Sequence, residues 1–206
     1  MTYITRIFTA AALLASMACA PSVVANDLTD SVADDYDYVF DLYKHFHENP
    51  ELSFKEKETS ARLATELEEL GFEVTERFGD AWVKKKVMAD VGEIREDVGG
   101  YGVVAVMKNG DGPTVMLRAD MDALPLEEKT GLPYESKVLG QTHTGKDAPI
   151  MHACAHDSHV AILIGAARQL VERKDDWSGT LVLIGQPAEE IGLGAKAMLE
   201  LSLIHI

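Results

Sequence analysis

Thr180-Leu181-Val182-Leu183-Ile184, followed at once by Gly185-Gln186-Pro187-Ala188-Glu189-Glu190, is the stretch on which the fold turns. A short continuous apolar run of this kind reads as a strand covered on both faces. The acidic pair behind it stands where open α/β sheets place their sites, at the carboxyl end of a strand. Working outward, residues 160–171 are apolar almost all round, the pattern of a buried helix rather than a surface one. Residues 103–107 and 114–117 are β-rich runs separated by Asn109-Gly110-Asp111-Gly112, which predicts a hairpin. Residues 30–49 read as a helix stopped by Pro50. Ser53 and Glu56 have the spacing of a capping box, opening a helix striped by Leu63, Leu67 and Leu70 and stopped by Gly71. Residues 80–97, before Gly99-Gly100, stand apart as an insertion whose role the sequence does not assign. The order of helices, hairpin, helix, strand and helix predicts an α/β fold, a mixed sheet with helices on both faces.

The chemistry gathers in Met151-His152-Ala153-Cys154-Ala155-His156-Asp157-Ser158-His159, three histidines, an aspartate and a cysteine within nine residues. A soft thiolate, imidazoles and the carboxylates of Glu189 and Glu190 suit borderline divalent ions. Their source in two separate segments is what a hydrolytic metal site needs, so the residues alone point to a metal-dependent hydrolase. The rival is a thiol nucleophile with a histidine base. Cysteine hydrolases draw that histidine from a distant part of the fold, and a separation of two residues fits metal better. Asp120 and Asp122 share a face at a strand end, where one can hydrogen-bond a ligand histidine and fix its tautomer. Spacing does not decide which of Glu189 and Glu190 binds metal and which takes a proton. The bland alternative for that pair is a helix-start acidic cluster satisfying the dipole. Asp157 can cap the following helix, His152 and His159 stay open between packing and ligation, and His45 and His47 read as structural.

Composition bounds the setting. The formal charge of −15 leaves no basic surface for nucleic acid, and it becomes −16 if residues 1–25, which carry Arg6 and no acid, are removed. Those residues have a charged start, an apolar core too short to span a bilayer and small residues before Asn26. They read as a secretory signal, placing the mature chain in the periplasm or medium. Cys19 offers a lipid-anchored alternative. With the signal removed Cys154 is the remaining cysteine, and it has no internal disulfide partner. Leu201-Ser202-Leu203-Ile204-His205-Ile206 is the translation of CTG-TCT-CTT-ATA-CAC-ATC, a string like a sequencing-library adaptor. His205 is therefore not counted as a ligand, and residues 26–200 are expected to be the front part of a longer catalytic domain.

Four stretches carry a resemblance to a known family: His45-Phe46-His47-Glu48-Asn49-Pro50-Glu51-Leu52-Ser53, Leu117-Arg118-Ala119-Asp120-Met121-Asp122-Ala123-Leu124-Pro125, residues 151–159, and residues 185–190 with Gly194-Ala195. In this order the chain resembles the aminoacylase and carboxypeptidase-type metallopeptidases, in particular the branch of hippurate hydrolase and the indole-acetyl-amino-acid hydrolases. The resemblance implies a zinc-peptidase-like catalytic domain and two divalent ions, Zn, Mn, Co or Ni. It implies Cys154 bridging them, His156 and Glu190 as further ligands, Glu189 as general base and Asp122 as the active-site aspartate. Distal histidine ligands and a lid and dimerisation domain would lie beyond Glu200, so a complete protein is expected to be a homodimer and the present chain inactive. The implied reaction is hydrolysis of the amide bond of N-acyl amino acids by metal-activated water. A dipeptidase or carboxypeptidase of the same family is the alternative, and a non-catalytic truncated fragment the rival from another class. The family has glycine where this chain has Ala155. If that position needs a positive φ, alanine is strained there by about 1 kcal/mol.

Overall fold

A computed structural model describes residues 22–200 apart from Ile94, with side chains from residue 27 onward. The expected leader up to residue 21, Cys19 and the expected adaptor residues 201–206 lie outside the described residues. Helix α1 (Ser22–Glu48) leads into α2 (Lys57–Glu69), β1 (Glu73–Phe78) and α3 (Asp80–Val91). Strands β2 (Gly102–Asn109) and β3 (Thr114–Asp120) follow, then a small ribbon of β4 (Leu139–Gln141) and β5 (Asp147–Pro149). Helix α4 (His156–Glu172), β6 (Gly179–Gln186) and α5 (Gly194–Glu200) complete the described chain. Among the described residues no helix is long and apolar enough to cross a membrane.

The main sheet has the order β1-β2-β6-β3, mixed in direction. Alternate side chains of a strand point to opposite faces, and both faces here are covered. Val103, Ala105 and Met107 of β2 and Leu181 and Leu183 of β6 join α1, α2 and α4 in one core. Val104, Val182 and Ile184 face the other way and meet Met198 of α5. This is the predicted α/β fold, and β6 is the strand buried on both faces.

Three local expectations need correction. Residues 103–107 and 114–117 do not form a hairpin. β6 enters between them, antiparallel to β2 from Asn109↔Gly179 to Val103↔Gly185 and parallel to β3 from Thr114↔Thr180 to Asp120↔Gln186. The 109–112 turn signal is real, but the turn is spread around the start of β6. Thr180 N–H donates to the Pro113 carbonyl at 2.9 Å, and the Asn109 side chain donates to the carbonyls of Lys174 and Trp177. The most continuous apolar strand thus takes the centre, and β3, with Val115 and Met116 exposed, takes an edge.

The second correction is the capping box: Ser53 and Glu56 do not cap α2. The Glu51 carboxylate accepts from the N–H groups of Glu58 and Thr59 instead, which frees Ser53 and Glu56 for the site described below. The end of α2 is as expected. Gly71 at φ +88° sends its N–H to Glu68, and Phe72 sends its own to Leu67, a Schellman closure. The third correction is α4, which is not buried all round, since Ile162 faces solvent. The 80–97 segment supplies α3, whose Val83 and Val87 pack with Phe54, Val98, Ala188 and Ala197 in a separate core. The insertion therefore lies under the loop that carries the acidic pair.

Leu183 is fully buried where β6 meets α1, α2 and α4. Leu183→Ala should lower the unfolding free energy by about 3 kcal/mol, read as a shift of the urea midpoint at unchanged slope.

Candidate metal centre

Because β3 and β6 run parallel, their carboxyl ends share one edge of the sheet. Asp120 closes β3 opposite Gln186, and two residues further on lie Asp122 on one side and the turn to Glu189 and Glu190 on the other. The first turn of α4 lies over this edge and supplies His156, Asp157 and His159.

Asp122 organises the cluster. Its carboxylate accepts from Ser53 Oγ at 2.5 Å, from Glu189 N–H at 2.9 Å and from Glu190 N–H at 3.1 Å. Burial alone would raise its pKa, but hydrogen bonds from His156, Ser53 and the two amides outweigh this and hold it below the usual carboxylate value. Its main-chain carbonyl pairs with His156 Nδ1 at 2.7 Å, with the carboxylate Oδ1 at 3.5 Å from the same nitrogen. With Nδ1 so occupied, His156 turns Nε2 toward Asp120, Glu189 and Glu190, at 3.7, 3.8 and 3.9 Å. Cys154, His156 and Glu190 bring one ligand atom each within 4.8 Å of one another. Asp120, His156 and His159 form a second such set, in which Asp120 Oδ1 and His159 Nδ1 already pair at 2.5 Å.

The donor set fits a divalent cation on the structure's own terms. Glu190 Oε1 is buried with no hydrogen-bond partner among the described residues. Burial disfavours charge on His156, yet Asp122 and Asp120 override it and push its pKa up to about 9, so a proton occupies the position a metal would take. Glu190, then burial and Glu189, raise the Cys154 thiol. A nucleophilic cysteine needs the opposite, an electropositive setting that lowers its pKa, and this surrounding argues against the thiol mechanism.

Of the residues singled out in the sequence, Asp122, Cys154, His156, Glu189 and Glu190 converge here. His45 and His47 do not. His47 is buried between Glu128 and Asp157, at 2.9 and 2.6 Å, and ties α1 to α4 and to the loop after β3. Burial opposes its charge, but the two carboxylates win and raise its pKa. Asp157 is thus engaged with His47, and its other oxygen accepts from Ser158 N–H rather than capping α4. His152 is buried with neither ring nitrogen partnered among the described residues, and burial takes its pKa down to about 4. Ser53 and Glu56 are the scaffold residues that local reading missed, since their spacing matched a cap and their true partners lie about 70 and 130 residues away.

A model of peptidase family M20/M25/M40 matches residues 116–205. The chain belongs to this family. It is 43% identical over 180 residues to thermostable carboxypeptidase 2 of Saccharolobus solfataricus, covering 86% of this chain and 39% of that protein. It is 35% identical to IAA-amino acid hydrolase ILR1-like 5 of Arabidopsis thaliana, covering 91% of this chain and 38% of that one. A solved Bacillus subtilis structure, described as a dinuclear metal-binding peptidase of the M20 family, superposes with a TM-score of 0.65 at 35% identity. It covers 84% of this chain and 40% of its own. The chain therefore spans about two fifths of the length of these M20 relatives.

Ala155, between Cys154 and His156, has φ +66°. Ala155→Gly should stabilise the metal-free chain by about 0.5 kcal/mol, the relief of left-handed strain exceeding the lost backbone restriction. Thermal unfolding reads this directly. With His156 and Cys154 as ligands, metal binding would displace a proton from each. Below pH 9 the logarithm of the Zn²⁺ association constant should therefore rise by about 2 per pH unit. The same His156 proton stabilises the metal-free fold below about pH 6.5, and that contribution is lost as pH rises through about 9. A slope near 1 in calorimetric titrations would mean that one of the two groups is not a ligand.

Proposed function

We propose that this chain forms one wall of a two-metal hydrolytic centre that cleaves the amide bond of N-acyl amino acids. Cys154, His156 and Glu190 are the ligands it contributes, Glu189 is the general base, and Asp122 holds them in place. The observation that carries this reading is the convergence of an unpartnered Glu190 oxygen, an accessible Cys154 and a His156 Nε2 on one point, with His156 Nδ1 fixed by a backbone carbonyl. That carbonyl partner is the usual device for fixing the tautomer of a metal-bound histidine. Similarity to a Bacillus protein described as dinuclear supports two ions, and similarity to an IAA-amino acid hydrolase supports the acyl-amino-acid substrate.

When bound, the ions would supply Lewis acidity toward the scissile carbonyl and acidify a water. The chain's own residues do the rest. Glu189 is the more exposed of the acidic pair, so its carboxylate reaches the space a substrate would fill. It takes a proton from the attacking water as the water oxygen bonds to the carbonyl carbon. It returns that proton to the amine nitrogen as the carbon–nitrogen bond breaks, leaving a carboxylic acid and a free amino acid. Asp122 stays ionised and keeps Glu189 and Glu190 diverging by holding their amides, so one faces the ions while the other faces the substrate.

A carboxypeptidase reading has its own support in the 43% identity to a thermostable carboxypeptidase. The leader read from residues 1–25 carries either activity to the periplasm or medium.

The test is hydrolysis by the complete gene product, loaded with Zn²⁺, Mn²⁺ or Co²⁺, of N-acetyl and N-benzoyl amino acids beside dipeptides and longer peptides. Cleavage of N-acyl amino acids at least about tenfold faster is expected; preference for peptides moves the assignment to the carboxypeptidase, and no cleavage of either overturns both. Glu189→Gln should retain the bound metal while kcat falls about 10³-fold, whereas Cys154→Ser and Glu190→Gln should lose metal.

A further inference from the structure

Glu56 is fully buried, and nothing in the proposed reaction uses it. A carboxyl group there is costly where a leucine would pack, so its partner identifies its task. Its Oε1 accepts the N–H of Ala188 at 2.7 Å, across 132 residues of sequence. The next two amides, of Glu189 and Glu190, go to the two oxygens of Asp122. Three consecutive N–H groups of one turn are thus captured by two buried carboxyl groups, and the side chains that leave this turn are the acidic pair of the site.

We propose that Glu56 is a positioning residue of the metal centre, holding the Ala188 amide so that Glu189 and Glu190 leave the turn in the directions the site needs. This rests on the metal-centre reading above. Ala188 has φ +50°, a conformation an alanine keeps only when its surroundings impose it. The remaining restraints act on its other side. Its carbonyl accepts from Leu193 and Gly194, and its side chain is packed among Phe54, Val83, Val87, Val98 and Ala197. Gly194 closes the turn so tightly that a Cβ there would lie 1.5 Å from the Pro187 oxygen. Glu56 is the one polar restraint on the amide of Ala188 among the described residues. Without it the Ala188 amide loses its hydrogen bond, and a small tilt of the peptide between Pro187 and Ala188 shifts the directions in which both following carboxylates leave the turn. Glu56 does not double as a cap, since α2 begins beside it with no side-chain hydrogen bond from it. Burial, followed by the nearby Asp122 charge, raises its pKa well above the ordinary value. An amide of the same shape keeps the acceptor oxygen that Ala188 uses and should therefore replace it.

The test is titration of the chain with Co²⁺, following the thiolate-to-cobalt charge-transfer band that reports Cys154 and the visible bands that report coordination geometry. Cys154→Ser serves as the control for the first band. Glu56→Gln keeps the acceptor and should match wild type in affinity, within about threefold, and in spectrum. Glu56→Met fills the space without an acceptor, and Glu56→Asp withdraws it by one methylene. Both should bind Co²⁺ at least about tenfold more weakly, with altered visible bands. Thermal unfolding of the metal-free proteins runs alongside. A variant that loses thermal stability yet keeps wild-type Co²⁺ affinity and spectrum shows a merely structural residue and overturns the proposal. If Glu56→Met does not fold, the contrast between Asp and Gln decides on the same criterion. Absence of the charge-transfer band in wild type overturns the metal-centre reading itself, and is distinguishable because every variant is then equally silent.

Discussion

The parallel register of β3 and β6, with Asp120 opposite Gln186, is the constraint on which the site depends. In a hairpin of β2 and β3 the two acidic segments would have no common edge. With β6 in the gap, two strands deliver their carboxyl ends to the same point from segments about 70 residues apart. Everything polar that follows is then a matter of connecting loops. Asp122, immediately past the strand, reaches across to take the amides past the end of β6, and that bond turns neighbouring strand ends into one rigid unit. The supporting layers agree with this. α4 packs on α1 and on the sheet, so the first turn of α4 cannot move independently of the strand ends it covers.

Electrostatics then sets what that unit can hold. Asp120, Asp122, Glu189 and Glu190 lie around one imidazole, an arrangement that is unfavourable unless a positive charge sits among them. In the metal-free chain that charge is a proton on His156, at a pKa near 9. A second histidine, His47, is held between Glu128 and Asp157 beside the first turn of α4, and these two carboxylates raise its pKa against the opposing effect of burial. The two differ in what can replace the proton. His47 has both ring nitrogens committed to carboxylates, whereas His156 commits Nδ1 to Asp122 and leaves Nε2 facing Asp120, Glu189 and Glu190. The same ionic environment gives a structural strut in one place and an exchangeable cation position in the other.

How much of this could be read from the chain depends on the range of the interaction. β6, the end of α2 at Gly71 and the cluster at 151–159 were legible because each is written in consecutive residues: an apolar run, a left-handed stop, a concentration of ligand types. The α/β class followed from their order. The supposed hairpin was misread because Asn109-Gly110-Asp111-Gly112 specifies a turn but not what lies between the strands it joins, and the intervening strand comes 70 residues later. Ser53 and Glu56 were misread for the same reason. Their spacing satisfies a helix cap, Glu51 performs that function, and their real partners, Asp122 and Ala188, are distant. The 80–97 insertion carried no chemical signature because its contribution is apolar packing under the Ala188 turn.

Backbone strain gives the last step. Among the described residues, four non-glycine residues have positive φ: Phe54, Arg77, Ala155 and Ala188. Three of them flank the site, each beside a side chain that it aims. Phe54 follows Ser53, Ala155 separates Cys154 from His156, and Ala188 precedes the acidic pair. Left-handed alanine and phenylalanine persist only where neighbours outweigh the cost. Here the neighbours are identifiable. The Phe54 carbonyl accepts from Gly99, the Ala155 carbonyl accepts from His159 N–H and Ser158 Oγ, and the Ala188 amide is taken by Glu56. Cys154 stands in the loop before α4 and His156 in its first turn, and the reversal of φ at Ala155 turns the chain into the helix between them. The reversal at Ala188 likewise turns the chain out of β6 before the acidic pair. The strain is therefore located where the chain must depart from regular geometry to bring Cys154, His156 and Glu190 to within 4.8 Å.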